Sequence, residues 1–292
     1  MSTSVERSGG DELFALLQRV LPQHLLSRGM HALARSRQRA VRNTLIRTVL
    51  RAYPQIDMRE ALQPDPYVYD SFNAFFTREL RPGARLVTSV ASEAASPVDG
   101  TVSQLGRTDA GRLIQAKGMD YTCDRLLADT ASAARYVGGS FACLYLAPYN
   151  YHRIHMPLDG VLRATRYVPG HLYSVNASTA RTVPELFARN ERVVCDFDTD
   201  LGPMCLVLVG ALFVGSIETV FAGEINPPPG RGGAVRAIEA GVGQRFARGA
   251  EIGRFNMGST VIVLFGQPAA FAPRVEPGEP VRMGQPLARL GA

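Results

Sequence analysis

The chain has 292 residues, 46% of them apolar, and a formal charge of +6. That is enough apolar chain for one large domain or two modest ones, and it excludes a disordered polymer. Four scattered cysteines, Cys123, Cys143, Cys195 and Cys205, form no C-x-x-C pair, which excludes a disulfide framework and the common zinc patterns.

The first predicted elements are helical. DELFALLQRVL (11–21) opens on acidic residues and spaces Leu13, Leu16, Leu17, Val20 and Leu21 as a helix does, until Pro22 breaks it. HLLSRGMHALA follows. RQRAVRNTLIRTVLRAY (37–53) then puts Val41, Leu45, Val49 and Leu50 on one side and Arg42, Arg47 and Arg51 largely off it, with Pro54 as the stop. From Leu13 to Ile56 there are eight arginines and no Asp or Glu, so this segment carries +8 and the remainder about −2. Basic amphipathic helices suit an anionic membrane surface. Two other readings stay open here, a helix face packed on the body of the protein and a nucleic-acid contact. No charged region followed by an apolar one marks a secretory signal, so a cytoplasmic protein with reduced thiols is expected.

From about residue 95 short β-rich runs take over: GTVSQL, RYVGGSFACLYLA, GVLRATRYV, RVVCDFD and CLVLVGALFVGSIETVFAG. The apolar stretch 205–217 is too short and too Gly-broken to span a bilayer. GVGQRFARGAEIGRF (241–255) and EPGEPVRMGQPLARL (276–290) share the form G-x-x-apolar-x-x-G-x-x-apolar, which resembles the hairpin of barrel-sandwich carrier domains without a lysine at the tip. The expected fold is therefore α+β: amphipathic helices over 1–60, then a mainly β core over 61–292 resembling a duplicated barrel-sandwich hybrid.

Polar chemistry concentrates in three places. Asp99 stands in SPVDG before a strand. His152 and His155 stand in YHRIHMPLDG. Ser259 stands in GRFNMGSTVIVLF, where Gly-Ser-Thr interrupts the run into an apolar strand. Taken alone, Gly-Ser there reads as a turn. H-x-x-H can hold metal, but Asp159 is the single nearby third ligand and no H-E-x-x-H helix is present, so no metal is expected. Asp, His and Ser are also the parts of an activated nucleophile. The chain has one lysine, Lys117, with no phosphate-binding loop beside it, which argues against pyridoxal phosphate.

SPVDG, YHRIHMP, GHLYSVN, LFARNERV, VGSIET and GRFNMGSTVIVLF in this order, with DSFNAFFTRELRPGAR (70–85) before them, resemble the pyruvoyl-dependent phosphatidylserine decarboxylases. The resemblance runs from about residue 70 to the C-terminus. The family cuts itself at the Gly-Ser bond of L-G-S-T, and here Met257 replaces the leucine. The resemblance implies that the Ser259 hydroxyl attacks the Gly258 carbonyl and that an N-to-O acyl shift gives an ester. β-Elimination then frees the upstream chain, and hydrolysis leaves a pyruvoyl group on residue 259. The products are a β chain of 1–258 and an α chain of 34 residues, 259–292. It further implies His155 as the base, Asp99 orienting it, and His152 as the acid that returns a proton after CO2 leaves. The implied partners are phosphatidylserine, an anionic membrane surface on the cytoplasmic side of a bacterial cell membrane, and the chain's own α and β pieces, with a dimer of these as the family expectation; nucleic acid is not implied. Two alternatives are a pyruvoyl-dependent decarboxylase of a soluble amino acid and a non-enzymatic membrane-binding module.

Overall fold

In a computed structural model, the described residues are 18, 22–116, 119–212, 216–225, 233–256 and 259–291. Two helices open this part of the chain, α1 (Gln23–Ala34) and α2 (Arg39–Ala52), and a short α3 (Phe72–Phe76) follows. The strands are β1 (Glu93–Ala95), β2 (Gly100–Arg107), β3 (Arg112–Ala116), β4 (Met119–Thr122), β5 (Ser140–Leu146), β6 (Arg153–His155), β7 (Gly160–Val168), β8 (Arg192–Thr199), β9 (Gly202–Val209), β10 (Ile217–Thr219), β11 (Gly223–Ile225), β12 (Arg236–Ile238), β13 (Arg245–Phe246), β14 (Glu251–Phe255), β15 (Ser259–Phe265), β16 (Ala269–Phe271), β17 (Pro280–Val281) and β18 (Pro286–Leu290). The fold is α+β as expected.

The main sheet runs β12-β7-β8-β9-β15-β5-β2-β17, with β13 also on β7, and it stays open. Strand β15 lies inside it, antiparallel to β5 on one side and β9 on the other. Its side chains alternate between two cores, as a two-faced strand must. Val261, Val263 and Phe265 enter one cluster with Leu144, Leu206 and Phe255. Ile262 and Leu264 enter the other with Leu126, Phe187 and Val207. The apolar TVIVLF run is explained by burial on both faces.

The core is a duplication with a pseudo-twofold axis, and the backbone bonds show it pair by pair. Gly249 N–H donates to Met156 O and Met156 N–H to Ala250 O; in the other half Gly284 N–H donates to Ser96 O and Ser96 N–H to Gln285 O. Gly243 brackets Leu162 as Gly278 brackets Val102. The turn glycines Gly249 and Gly284 have φ of +80° and +89°, a left-handed conformation that both hairpins need. The sequences P-V-D-G (97–100) and P-L-D-G (157–160) are the matching corners: Asp99 Oδ1 accepts Met283 N–H at 2.8 Å, and Asp159 Oδ1 accepts Arg248 N–H at 2.9 Å. Even the bulges correspond, one at Val102/Gln104 and one at Leu162/Ala164. The two halves interlock through Ala95 N–H to Pro157 O and His155 N–H to Pro97 O, both 2.9 Å. The repeat noticed at 241–255 and 276–290 is thus one arm of each half.

The N-terminal helices divide the two readings between them. Helix α2 turns Ile46, Leu45, Val49 and Leu50 onto Phe72, Phe75 and Phe76 of α3, so this apolar face is packed. That cluster runs across residue 60, joining the helical segment to chain beyond it. Helix α1 is inverted. Its buried residues are Gln23, Ser27 and Ala34, whereas Leu25 is 69%, Leu26 37% and Leu33 42% exposed. Gln23 Oε1 accepts Leu172 N–H, and His31 and Arg35 both bond Glu224 at 2.7 Å. Leu13, Leu16, Leu17, Val20 and Leu21 lie outside the described residues.

The matching corners differ in burial, which gives a test. Asp99 is buried and holds buried Arg85, while Asp159 is exposed and holds one backbone N–H. Removing one partner of a buried ion pair is costly, and losing one exposed hydrogen bond is not. Asp99→Ala should lose roughly 3 kcal/mol of stability, and Asp159→Ala less than about 1 kcal/mol. Urea unfolding measures both, each built on Ser259→Ala so that the expected chain cut does not intervene. Equal losses would mean that Arg85 does not depend on Asp99.

Candidate active site

Ser259 is the first residue of β15, paired with Leu146, and is fully buried. Its Oγ has no hydrogen-bond partner among the described residues. A buried hydroxyl without a partner forgoes roughly 1–3 kcal/mol, so its position asks for a chemical reason. Three residues upstream, Asn256 is anchored: its N–H donates to Ser216 O, its Nδ2 to Ser216 Oγ at 2.7 Å, and its Oδ1 accepts Asn73 Nδ2 at 3.0 Å. Phe255 N–H donates to His152 O. The segment between Phe255 and Ser259 is therefore pinned at both ends by one stretch, 146–152. Met257 and Gly258 lie outside the described residues.

His152 and His155 take the same tautomer for the same reason. His152 Nδ1 lies 2.8 Å from Asn150 O and His155 Nδ1 lies 2.8 Å from Gly249 O. A carbonyl can only accept, so each Nδ1 carries the hydrogen and each Nε2 keeps its lone pair. His155 Nε2 accepts from the Tyr151 hydroxyl at 3.0 Å. His152 Nε2 is buried without a partner, its ring 4.1 Å from that of Phe76. Burial, followed by the nearby charge of Arg78, pulls His152 down to about 3. Burial also lowers His155, against the Gly249 carbonyl and the carboxylates of Glu251 and Asp99. Both rings are neutral at neutral pH, each with its lone pair at Nε2.

Asp99 is not hydrogen-bonded to His155. Its carboxylate receives Nε and Nη2 of Arg85, with Arg85 Nη2 also 2.8 Å from Glu60. Burial works against the Arg85 charge, but the hydrogen bonds to Asp99 and Glu60 outweigh it and raise the guanidinium further. Asp99 reaches His155 through its charge, while Gly249 O sets the ring. Arg85, Tyr151 and Gly249 are thus site residues that the motif reading missed. Arg85 and Tyr151 sit inside the quoted motif stretches but carry no spacing signal. Gly249 contributes only a backbone oxygen.

The pseudo-twofold axis separates scaffold from chemistry. His152 stands where the other half has Ser92, since Phe255 N–H bonds His152 O as Leu290 N–H bonds Ser92 O. His155 stands where it has Ala95. Ser259 pairs with Leu146 as Gly202 pairs with Thr199. Three of the four expected residues are departures from the repeat. Among the described residues no cluster of three or more His, Cys, Asp or Glu gathers to hold a metal. Asp159 serves its corner, and Lys117 is outside the described residues.

Comparison with known proteins gives the family of the chain. A family model described as phosphatidylserine decarboxylase matches residues 72–289, and a second, described as PSD, matches 13–54. The phosphatidylserine decarboxylase proenzyme of Shewanella frigidimarina is 48% identical over 96% of this chain and 99% of its own length. Those of Azotobacter vinelandii and of a Pseudomonas aeruginosa strain are each 51% identical, over 95% of this chain and 98% and 97% of theirs. With one family model covering most of its length and relatives this similar end to end, the chain belongs to the phosphatidylserine decarboxylase family.

Proposed function

We propose that the chain cuts itself between Gly258 and Ser259 and, with the pyruvoyl group so formed, converts phosphatidylserine to phosphatidylethanolamine and CO2 at an anionic membrane surface. The observation that carries this is the Ser259 hydroxyl, buried and unpartnered at the first residue of an interior strand. A pyruvoyl group fits there, because residue 259 becomes a chain end whose strand stays paired on both sides. That group supplies a ketone that condenses with the substrate amine and draws off the electrons released with CO2.

His155 is assigned the base, taking the Ser259 hydroxyl proton at Nε2. Its tautomer leaves that lone pair available once the Tyr151 hydroxyl turns aside. Asp99 is assigned the stabilisation of the protonated ring through its charge, held in place by Arg85. His152 is assigned the return of a proton to the substrate α-carbon. Its partnerless Nε2 suits a group that must meet a ligand atom.

The membrane reading rests on α1. An exposed apolar face of Leu25, Leu26 and Leu33 over a buried face of Gln23 and Ser27 is the reverse of a helix facing water. Among the described residues no helix is long and apolar enough to cross a bilayer, so contact would be interfacial. Exposed arginines at 28, 39 and 47 suit anionic lipid, on the cytoplasmic side of a bacterial membrane. Arg35 is committed to Glu224, and Leu45 to the α3 cluster, so neither belongs to that surface.

Ser259→Ala should give one folded chain with no ketone and no CO2 release, read by denaturing gel and mass spectrometry; a split at 258/259 in that variant would falsify the mechanism. His155→Ala should slow cutting by a factor on the order of 10⁴, as loss of the base does in triad enzymes. His152→Ala should still cut but fail to decarboxylate, and the opposite pattern would exchange the two roles.

Changing Leu25, Leu26 and Leu33 together to Ser should leave stability within about 0.5 kcal/mol per site, since exposed side chains contribute little. It should also weaken flotation with phosphatidylglycerol liposomes at least tenfold. Undiminished flotation would assign the leucine face elsewhere.

A further inference from the structure

One arginine stands out from the many. Arg78, two residues past α3, is 6% exposed, with its guanidinium 5.5 Å over the ring of Phe75. Its Nε is sealed and has no acceptor, and among the described residues no carboxylate lies within ion-pair reach of it. Asp99 and Glu60 act on it only from a distance, and both are already committed to Arg85. An unpaired buried charge costs several kcal/mol, so a native fold retains one where a ligand supplies the missing anion.

Arg78 lies in the wall of two cavities. One, of about 390 Å³, borders Asp99, Asn150 and Tyr151. The larger, of about 630 Å³, is lined by Arg78, Asn73, Arg35, Arg153 and Arg254 among others. The last three are paired, Arg35 with Glu224 at 2.7 Å, Arg153 with Glu251 at 2.8 Å and Glu79 at 3.7 Å, and Arg254 with Glu251 at 3.1 Å and Glu218 at 3.7 Å, while Arg37 on the same wall is exposed to water, so Arg78 is the buried guanidinium there without a carboxylate. Arg35 caps α1 two residues beyond exposed Leu33, so this cavity reaches the helix that carries the apolar face.

We propose that Arg78 is the anion-recognition residue of this site and binds the phosphodiester of the substrate headgroup in the larger cavity. The inference rests on the decarboxylase reading above. The substrate carries two anions, and reaction energetics choose between them. A guanidinium clamped on the carboxylate would stabilise the charge that has to leave, raising the barrier to CO2 loss. The phosphodiester keeps its charge throughout, so binding it costs nothing at the reacting bond, and its two free oxygens match the guanidinium fork.

The test uses the full self-cut protein, Arg78→Gln, Arg78→Lys and three probes: glycerophosphoethanolamine, inorganic phosphate and ethanolamine. In the parent, glycerophosphoethanolamine should raise the melting temperature. Arg78→Gln should abolish that rise and increase KM for micellar phosphatidylserine at least tenfold, with Arg78→Lys intermediate. Without ligand, Arg78→Gln should melt no lower than the parent, because the cost of an unpaired buried charge outweighs its contact with the Phe75 ring. A lower melting temperature or an uncut chain in Arg78→Gln would make the arginine structural and overturn the proposal. A glycerophosphoethanolamine shift that survives Arg78→Gln would also overturn it, as would a parent that responds to inorganic phosphate alone or equally to ethanolamine. If the parent itself is never cut, the pyruvoyl reading fails instead, and the melting shift still decides whether Arg78 binds the anion.

Discussion

Two hydrogen bonds hold this protein's halves in register, Ala95 N–H to Pro157 O and His155 N–H to Pro97 O. They are related by the pseudo-twofold axis, and each starts one residue before the corner residue that its own hairpin turn grips, Ser96 or Met156. Proline suits the acceptor position because it has no N–H that would need a partner of its own. The exchange also fixes the backbone of His155. The side chain proposed as the base is thereby mounted on a backbone bond between the halves, and a bond to a nearby residue, Phe255 N–H to His152 O, positions the neighbouring histidine. The chemistry is built where the duplication is tightest.

The consequences spread outward from there. Because both halves need their corner aspartate to cap a hairpin, Asp99 serves the scaffold as well as the site. What Asp159 lacks is Arg85, and behind Arg85, Glu60. The charge near His155 is therefore part of a network reaching into the segment before the β core, and it answers to the docking of that segment. The polar route His31 and Arg35 to Glu224, Ser216, Asn256 and Asn73 ties α1 to the residue two before Gly258 in the same way. A cut at 258/259 would leave this route intact on the longer piece. The shorter piece would stay held by pairing of β15 with β5 and β9, of β18 with β1, and of β17 with β2.

Much of this was legible in the sequence, with limits set by what periodicity encodes. TVIVLF announced a doubly buried strand because six apolar or β-branched residues in a row have no other economical place. The spacing of Val41, Leu45, Val49 and Leu50 announced a helix, but the same spacing serves a membrane or a protein core, and only the phenylalanines of α3 decide for the core. In α1 the letters HLLSRGMHALA do not say which side meets the body of the protein, and the exposure of Leu25, Leu26 and Leu33 follows from Gln23 and Ser27 being the buried side. The hairpin repeat was visible through its glycines. Its counterpart, P-V-D-G against P-L-D-G, shares three letters and gains meaning only once Met283 and Arg248 are seen donating to the two aspartates. Arg85 and Arg78 were hidden for a different reason. Among 31 arginines nothing local marks which is buried, or which lacks an acid.

The proposed anion also bears on an awkward feature of His152. A proton donor must first hold a proton, and burial together with the Arg78 charge drives this ring to the neutral form. Helix α3 holds both near each other, the ring of Phe76 against His152 and that of Phe75 beneath the guanidinium of Arg78. A phosphodiester on Arg78 would cancel the repelling charge without disturbing either contact, and burial alone would remain. The ring would then gain proton affinity only in the presence of substrate. On this view the cation selects a lipid headgroup over a free amino acid, and its charge adds to burial, the larger cause, in holding the ring neutral before substrate arrives. One buried, unpaired arginine thus couples headgroup recognition to the proton affinity of the neighbouring ring.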